Sequence, residues 1–423
     1  MRRVAVTGIG AVTPVGNDVE STWQSLIAGK SGVGRITTFD PDTYKVRIAG
    51  LVKDFDLSKY LDDGHKSMGE NLGRAGSFGL AAAIQALRDA RVSEAPYEPY
   101  ERGLSMGASV GRPELKDLAD MLHPIEHGLD LYRQPPSVSL PRDPNLVMEK
   151  IAELGNCQGP MISVSTACTA SAHSVGEAYR RIQEGDAKLM ISGGFDALTS
   201  WLDVLGFALL GALTDAYNDE PHRGSRPFSE DRSGFVLGEG SVVAVLEDFE
   251  EAEKRGAHIY AEIVGYSSTM NAYRITDAPP DGGGAVTAMG NALRESGLGT
   301  DEVDYVAAHG TGTPGNDFSE TTAIKKVFGD DAYKLTVSSA KSMTGHMTAA
   351  AGALSVLIAS CAMRDSIVPP TINLENPDPK LDLDYVPNKA KERKVRAAML
   401  NAFAFGGTNA SVVVRNPNLA DAA

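Results

Sequence analysis

Val164-Ser165-Thr166-Ala167-Cys168-Thr169-Ala170-Ser171-Ala172, set beside Val337-Ser338-Ser339-Ala340, points to the architecture of this chain. In the first stretch an apolar, β-branched run from Met161 gives way to small residues. This pattern predicts a strand over 161–166 and a helix over 169–184 that stops at Gly185. The second stretch hands over in the same way to an alanine-rich segment, which predicts a helix over 347–363. An apolar strand candidate follows each helix, at 188–192 and at 366–369. A short echo also arises by chance, but two strand–helix–strand units in the same spelling point to a duplicated α/β core. The charged helical stretch 249–256, between apolar segments 242–246 and 259–264, sets the boundary of an N-terminal half, 1–250, and a C-terminal half, 251–423.

Within this frame Cys168 falls at a helix N-terminus. Unpaired N–H groups and the positive end of the helix dipole favour a thiolate there, so the thiol is expected to titrate below the ordinary ~8.5. The commonplace reading of a lone cysteine is a buried structural one. Partners for a nucleophile shift the balance away from that reading. His309 ends the strand-like Val306-Ala307-Ala308-His309 and opens the turn Gly310-Thr311-Gly312-Thr313-Pro314. His346 closes Lys341-Ser342-Met343-Thr344-Gly345-His346. One cysteine with two distant histidines is the form of a thiol enzyme whose site is assembled by folding. Asn401-Ala402-Phe403-Ala404-Phe405-Gly406-Gly407-Thr408-Asn409 adds a glycine turn whose backbone N–H groups can point into a site.

A chain of 423 residues can bury a large core and form two domains. Cys157, Cys168 and Cys361 show neither paired nor metal-ligand spacing, which predicts a reducing, cytoplasmic setting and no metal. No apolar run reaches the ~20 residues that cross a membrane. Met1-Arg2-Arg3 ahead of an apolar stretch suggests a signal peptide, but glycines, Thr7 and Pro14 interrupt it and the stretch reads as a first strand. Gly8-Ile9-Gly10 lacks the third glycine of a dinucleotide fingerprint. A net charge of −15 without a basic run argues against a nucleic-acid partner. The sequon Asn409-Ala410-Ser411 has no consequence in that compartment.

Thr166-Ala167-Cys168-Thr169, His309-Gly310-Thr311-Gly312-Thr313-Pro314, Lys341-Ser342-Met343-Thr344-Gly345-His346 and Phe405-Gly406-Gly407-Thr408-Asn409 together resemble the active-site motifs of the elongating β-ketoacyl-acyl-carrier-protein synthases, in that family's order. The opening 3–10, Ser225-Arg226-Pro227-Phe228 and Gly234-Phe235-Val236-Leu237-Gly238-Glu239-Gly240 extend the likeness to nearly the whole chain. The resemblance implies a thiolase-like α/β fold. Its duplicated halves form a layered α-β-α-β-α core with cap insertions, and the site lies where they meet. The N-terminal half would carry the nucleophile and the caps, the C-terminal half both histidines.

The chemistry implied is a decarboxylative Claisen condensation of an acyl thioester with malonyl-carrier. By resemblance Cys168 holds the acyl group, and the backbone N–H groups of Cys168 and Phe405 receive the oxyanion. His309 and His346 then donate to the enolate formed as carbon dioxide leaves. Lys341 is implied as a catalytic residue in an ion pair with Glu320, and Gly406 and Gly407 as support for Phe405, the gate. Thr276, Thr311 and Thr313 are implied contacts of the phosphopantetheine arm. That arm arrives on the acyl carrier protein, so no resident cofactor is implied. A thiolase would use a second cysteine as base, whereas Cys361 lies mid-helix and reads as core.

Several departures bear on which synthase this is. Ala404 precedes Phe405 where the family has glycine, and a Cβ there is expected to restrict the gate. Arg274 stands where the family often has histidine, so any contact it makes with the pocket is charged. The region 111–149 diverges most, and there the resemblance puts the cap of the acyl tunnel and much of the dimer contact. Basic residues that would meet an acidic carrier are sparse over 60–73 and 206–218. Weak steering of that kind implies a dedicated carrier or a partner subunit that supplies positive charge. Three functions stand open. The first is fatty-acid chain elongation by a homodimer. The second is the condensing subunit of a type II polyketide or polyene pathway, paired with a chain-length-factor-like subunit; 316–321 and 391–394 resemble that branch. The third, a non-catalytic partner subunit, sits poorly with Cys168, His309 and His346 together.

Overall fold

A computed structural model describes residues 1–111 and 143–419, with 119, 122 and 126–128 between them. Most of the divergent stretch 111–149, and with it the expected cap and dimer contact, lies outside the described residues.

The main sheet contains β1 (Val4–Val12), β2 (Arg102–Ala108), β3 (Met161–Val164), β4 (Leu189–Asp196), β5 (Gly240–Asp248), β6 (Ala261–Met270), β7 (Tyr305–Ala307), β8 (Thr336–Ser338), β9 (Ala397–Phe403) and β10 (Thr408–Arg415). Their spatial order is β3-β2-β4-β5-β1-β6-β10-β9-β7-β8. Counted from either edge inward, each set of five runs third, second, fourth, fifth, first. The pairing senses repeat as well. β2 is parallel to β3 and β4, and β7 is parallel to β8 and β9. β4–β5 and β5–β1 are antiparallel, as are β9–β10 and β10–β6. Among the described residues the two sets pair edge to edge through residues 4–6 of β1 and 261–263 of β6.

Alternation along the strands builds the layers. In β5, Val242, Ala244 and Leu246 face one apolar cluster while Val243 and Val245 face another. The second cluster includes helix Arg74–Asp89, which covers β1, β4 and β5 from outside. On the other set, helix Gly283–Ser296 covers β6 and β10. Between the sets lie helices Ala170–Glu184 and Ala351–Asp365, giving the α-β-α-β-α layering. Helix Ala351–Asp365 is buried on every side through Met363, as a helix enclosed between two sheets must be. The two middle helices nearly touch, since a Cβ on Gly352 would lie 2.6 Å from the Ala172 nitrogen.

Three expectations shift. The helix after β3 begins at Ala170, behind a 3₁₀ turn at Ala167–Thr169, and ends at Gly185 with φ +89. The helix after β8 begins at Ala351, because Lys341–Thr344 and Thr348–Ala350 form separate short turns first. The strand expected at 366–369 is only Ile367–Val368, paired with Lys391–Glu392 outside the main sheet. Pro369 and Pro370 remove the ladder donors that would extend it. The fourth strand of the C-terminal set is β9 instead, reached after an excursion through 369–396. Among the described residues no helix is long and apolar enough to cross a membrane.

Candidate active site

Cys168 sits in the 3₁₀ turn between β3 and helix Ala170–Glu184. Ala167 before it has φ +50, a left-handed conformation that a Cβ resists, so the chain turns sharply at Cys168. The Thr169 hydroxyl donates to the Thr166 carbonyl at 2.7 Å, and Thr166 Oγ1 lies 2.7 Å from His173 Nδ1. A cavity of about 350 Å³ opens over the thiol, and Cys168, His309, His346, Phe405, Thr276, Thr311 and Thr313 all line it. Residues far apart in sequence are thus brought to one space.

The expected thiolate is corrected. Burial pushes the Cys168 thiol up to about 12 and Asp196 adds to this, while Lys341 and the backbone N–H groups of Cys168 and Phe405 draw it down. Desolvation outweighs the helix end, which begins two residues beyond the sulfur. The two N–H groups that reach the sulfur are the pair named from the sequence as oxyanion donors.

His309 and His346 are both buried, with ring centroids 5.3 Å apart and planes at 82°. Burial first, and then Lys341, holds both imidazoles well below the ordinary histidine range, and His346 adds to the effect on His309. Both rings are therefore neutral near pH 7, able to donate one N–H each. The His346 backbone is clamped by Val236 and Gly238, and its Nδ1 accepts the Thr348 N–H at 3.3 Å. His309 Nδ1 is buried without a partner among the described residues.

Two carboxylates on helix Pro314–Phe328 hold the His309 turn. Glu320 accepts the His309 and Gly310 N–H groups at 2.8 Å each, and the Asn401 amide at 3.2 Å. Asp317 accepts from the N–H groups of Thr311, Gly312 and Phe228 at 3.1, 3.2 and 2.9 Å. Three residues apart on one helix, they face the same way. Lys341 is buried and its pKa is pushed down by burial, with Glu320 and Cys168 opposing through space. The expected Lys341–Glu320 ion pair is corrected: among the described residues no direct ion pair joins them, because the Glu320 oxygens are taken by backbone and amide donors.

Phe405 is half-buried, its ring 6.3 Å from that of Phe235. Gly406 and Gly407 follow with φ +86 and +79, and their bonds to Ile275 and Asn271 anchor the turn, each at 2.7 Å. Arg274 is exposed, pairs with Asp277 at 3.2 Å and does not line the cavity, so the pocket gains no charge from it. Sequence reasoning missed Asn401, Asp196 and the site-holding part of Asp317. The Asp317/Glu320 spacing on one helix face was a usable signal for the last; the other two carry none.

The beta-ketoacyl synthase N-terminal domain model matches residues 1–252, and the beta-ketoacyl synthase C-terminal domain model matches 260–375. The 3-oxoacyl-(acyl-carrier-protein) synthase 2 of Coxiella burnetii is 44% identical over 418 residues, covering 98% of each chain. The protein of the same name from Synechocystis is 42% identical over 422 residues, again covering 98% of each. Among solved structures, a beta-ketoacyl synthase from Burkholderia phymatum superposes with a TM-score of 0.88 at 31% identity, covering 98% of this chain and 100% of that one. A type II polyketide ketosynthase bound to its acyl-carrier protein and the hexaketide superposes at 0.86 and 32%, covering 98% and 99%. A chain matched by both domain models, and by relatives along almost its full length, belongs to the beta-ketoacyl synthase family.

Proposed function

We propose that this protein condenses an acyl group held on Cys168 with malonyl-acyl-carrier protein, as a 3-oxoacyl-acyl-carrier-protein synthase of fatty-acid elongation. The observation that carries this reading is the convergence of one thiol, two backbone N–H donors and two neutral imidazoles on a single cavity. The thiol attacks the acyl-carrier thioester, its proton passes to the departing phosphopantetheine sulfur, and one thioester replaces another. Malonyl-carrier then loses carbon dioxide, and the electron pair left behind becomes an enolate whose oxygen takes N–H donation from His309 and His346. The enolate carbon attacks the acyl carbonyl, and the N–H groups of Cys168 and Phe405 hold the resulting oxyanion. Collapse expels the Cys168 thiolate, which regains a proton from solvent, and releases the 3-oxoacyl-carrier. Lys341 lowers the cost of charge on the sulfur, and Thr276, Thr311 and Thr313 contact the phosphopantetheine arm. Glu320, Gly406 and Gly407 keep the histidine turn and the gate in place.

The same reading divides the chain into halves 1–250 and 251–423, supported by the repeated strand order. It makes the protein a cytoplasmic homodimer without resident cofactor or metal, with acyl carrier protein as its macromolecular substrate. A second reading, the condensing subunit of a type II polyketide pathway, draws on the likeness to the hexaketide-bound ketosynthase and to the ishigamide ketosynthase/chain length factor, 33% identical with a TM-score of 0.85. The higher identity to 3-oxoacyl synthases favours the first.

Intact-protein mass separates the readings after mixing with saturated and polyunsaturated acyl carriers, on a general and a pathway-linked carrier protein. A Cys168-dependent adduct from the general saturated carrier is expected. An adduct only from the specialised carrier, or only with a partner subunit present, would move the assignment to the second reading. No adduct at all would reject both.

A further inference from the structure

Thr348 follows His346 by two residues with φ +43, a left-handed backbone that a β-branched side chain strongly resists. Two contacts hold it there. Its hydroxyl donates to Asp196 Oδ2, and its backbone N–H points at His346 Nδ1. Asp196, at the end of β4, is itself buried. It also accepts the Ala349 and Ala197 N–H groups, each at 3.0 Å, and the Ser109 hydroxyl at 2.7 Å. A buried carboxylate with four donors is a rigid anchor. It belongs to the first strand set, while Thr348 and His346 belong to the second, so the contact bridges the halves beside the site. Backbone strain of this kind persists only where the surroundings over-determine it.

The strain has a chemical consequence one step away. The His346 N–H donates to the Val236 carbonyl at 2.7 Å, and the His346 carbonyl accepts from Gly238 at 2.8 Å. The ring packs edge-on to Phe235 with centroids 5.4 Å apart. With Nδ1 taken as an acceptor by Thr348, the proton of the neutral ring is assigned to Nε2. Loss of the Asp196 anchor frees Thr348 to relax out of the left-handed region, which turns its N–H away from Nδ1.

We propose that Asp196 and Thr348 are a positioning pair that fixes His346 as its Nε2–H tautomer, so that the ring presents a donor rather than a lone pair to the substrate oxygen. Neither residue lines the cavity over Cys168; Thr348 acts through His346, and Asp196 does so beside its through-space effect on the Cys168 thiol. The proposal rests on the condensing-enzyme reading above and adds two residues that its motifs do not contain.

The test compares Thr348→Val, Thr348→Ser and Asp196→Asn with the unaltered enzyme in three measurements. These are malonyl-carrier decarboxylation, Cys168 acylation by mass, and nitrogen-15 NMR of histidine-labelled protein, with the His346 signals identified by their loss in His346→Ala. Thr348→Val should lower kcat for decarboxylation roughly 10- to 100-fold with KM within about twofold, since a donor is misplaced rather than removed. Acylation should stay within about threefold, because Cys168 and its N–H donors are untouched. The His346 Nδ1 and Nε2 shifts should move toward each other, Asp196→Asn should do the same, and Thr348→Ser should restore both rate and spectrum. An unchanged His346 spectrum in Thr348→Val overturns the proposal. So does equal loss of both half-reactions, or failure of serine to restore them. Absence of decarboxylation in the unaltered enzyme would instead overturn the condensing reading, while the spectrum would still report the tautomer.

Discussion

Glu320 holds the backbone of His309 in place: its Oε1 accepts the His309 N–H and its Oε2 the Gly310 N–H, each at 2.8 Å. Asn401 donates to the same Oε1, and Ser411 in turn donates to Asn401 at 3.0 Å. A carboxylate buried in this way is a structural pin for an imidazole carried by a different segment. Glu320→Ala leaves two buried backbone N–H groups unpaired, at about 1–3 kcal/mol each, so stability in urea should fall by about 2–6 kcal/mol. Glu320→Gln retains one acceptor and should lose less. An unchanged urea midpoint for the alanine variant would show that the pin carries no load.

The two half-reactions separate by residue. Cys168→Gln should abolish acyl-adduct formation while malonyl decarboxylation continues, because the imidazoles are untouched. His346→Ala should do the reverse, with decarboxylation falling ~100-fold or more through loss of one donor. Carbon dioxide release and intact mass, measured on the same samples, check both. Normal condensation by Cys168→Gln, or normal carbon dioxide release by His346→Ala, removes that residue from the mechanism.

The thiol of the resting enzyme is protonated at neutral pH. Burial raises it to about 12 against the pull of Lys341 and two N–H groups. Alkylation by iodoacetamide should therefore climb by about tenfold per pH unit above neutrality with no plateau below pH ~8.5, the ordinary cysteine value. A rate already level at neutrality would mean that the helix end dominates after all.

Acid should weaken the fold through the two histidines. Unfolded imidazole takes up its proton near pH ~6.5, while burial holds His309 and His346 below that value in the native protein. Below pH ~6.5 the unfolded state binds more protons, so each histidine's contribution is complete above that value and declines as pH falls, by about 1.4 kcal/mol per unit. Measured against His346→Asn, which lacks one such group, the unaltered protein should lose stability faster between pH ~6 and ~5 by that amount. A stability difference that stays constant with pH would exclude a depressed His346.

Much of the site was legible before folding because its chemistry is written in short segments. Cys168, His309, His346 and the Gly406-Gly407 turn each carry a residue type that few other roles require. The duplicated core was legible too, since two β-to-helix junctions share their spelling. The strand at 366–369 was misread because an apolar run says nothing about what pairs with it, and Pro369-Pro370 sends the chain away from the sheet. The ion pair of Lys341 was misread because opposite charges in one site do not reveal which donors reach the carboxylate first.

Residue identity and local periodicity were enough to name the candidate reactive groups, the family and the repeated βα pattern. The protonation of the site, and which group holds which, came from the packing of distant segments. The Cys168 thiol is raised and the histidines are neutral because packing removes water from around them. Glu320 serves the His309 backbone, and Asp196 reaches Thr348 across the two strand sets. Desolvation and long-range hydrogen bonds arise only when distant segments are packed together, and no local pattern encodes them.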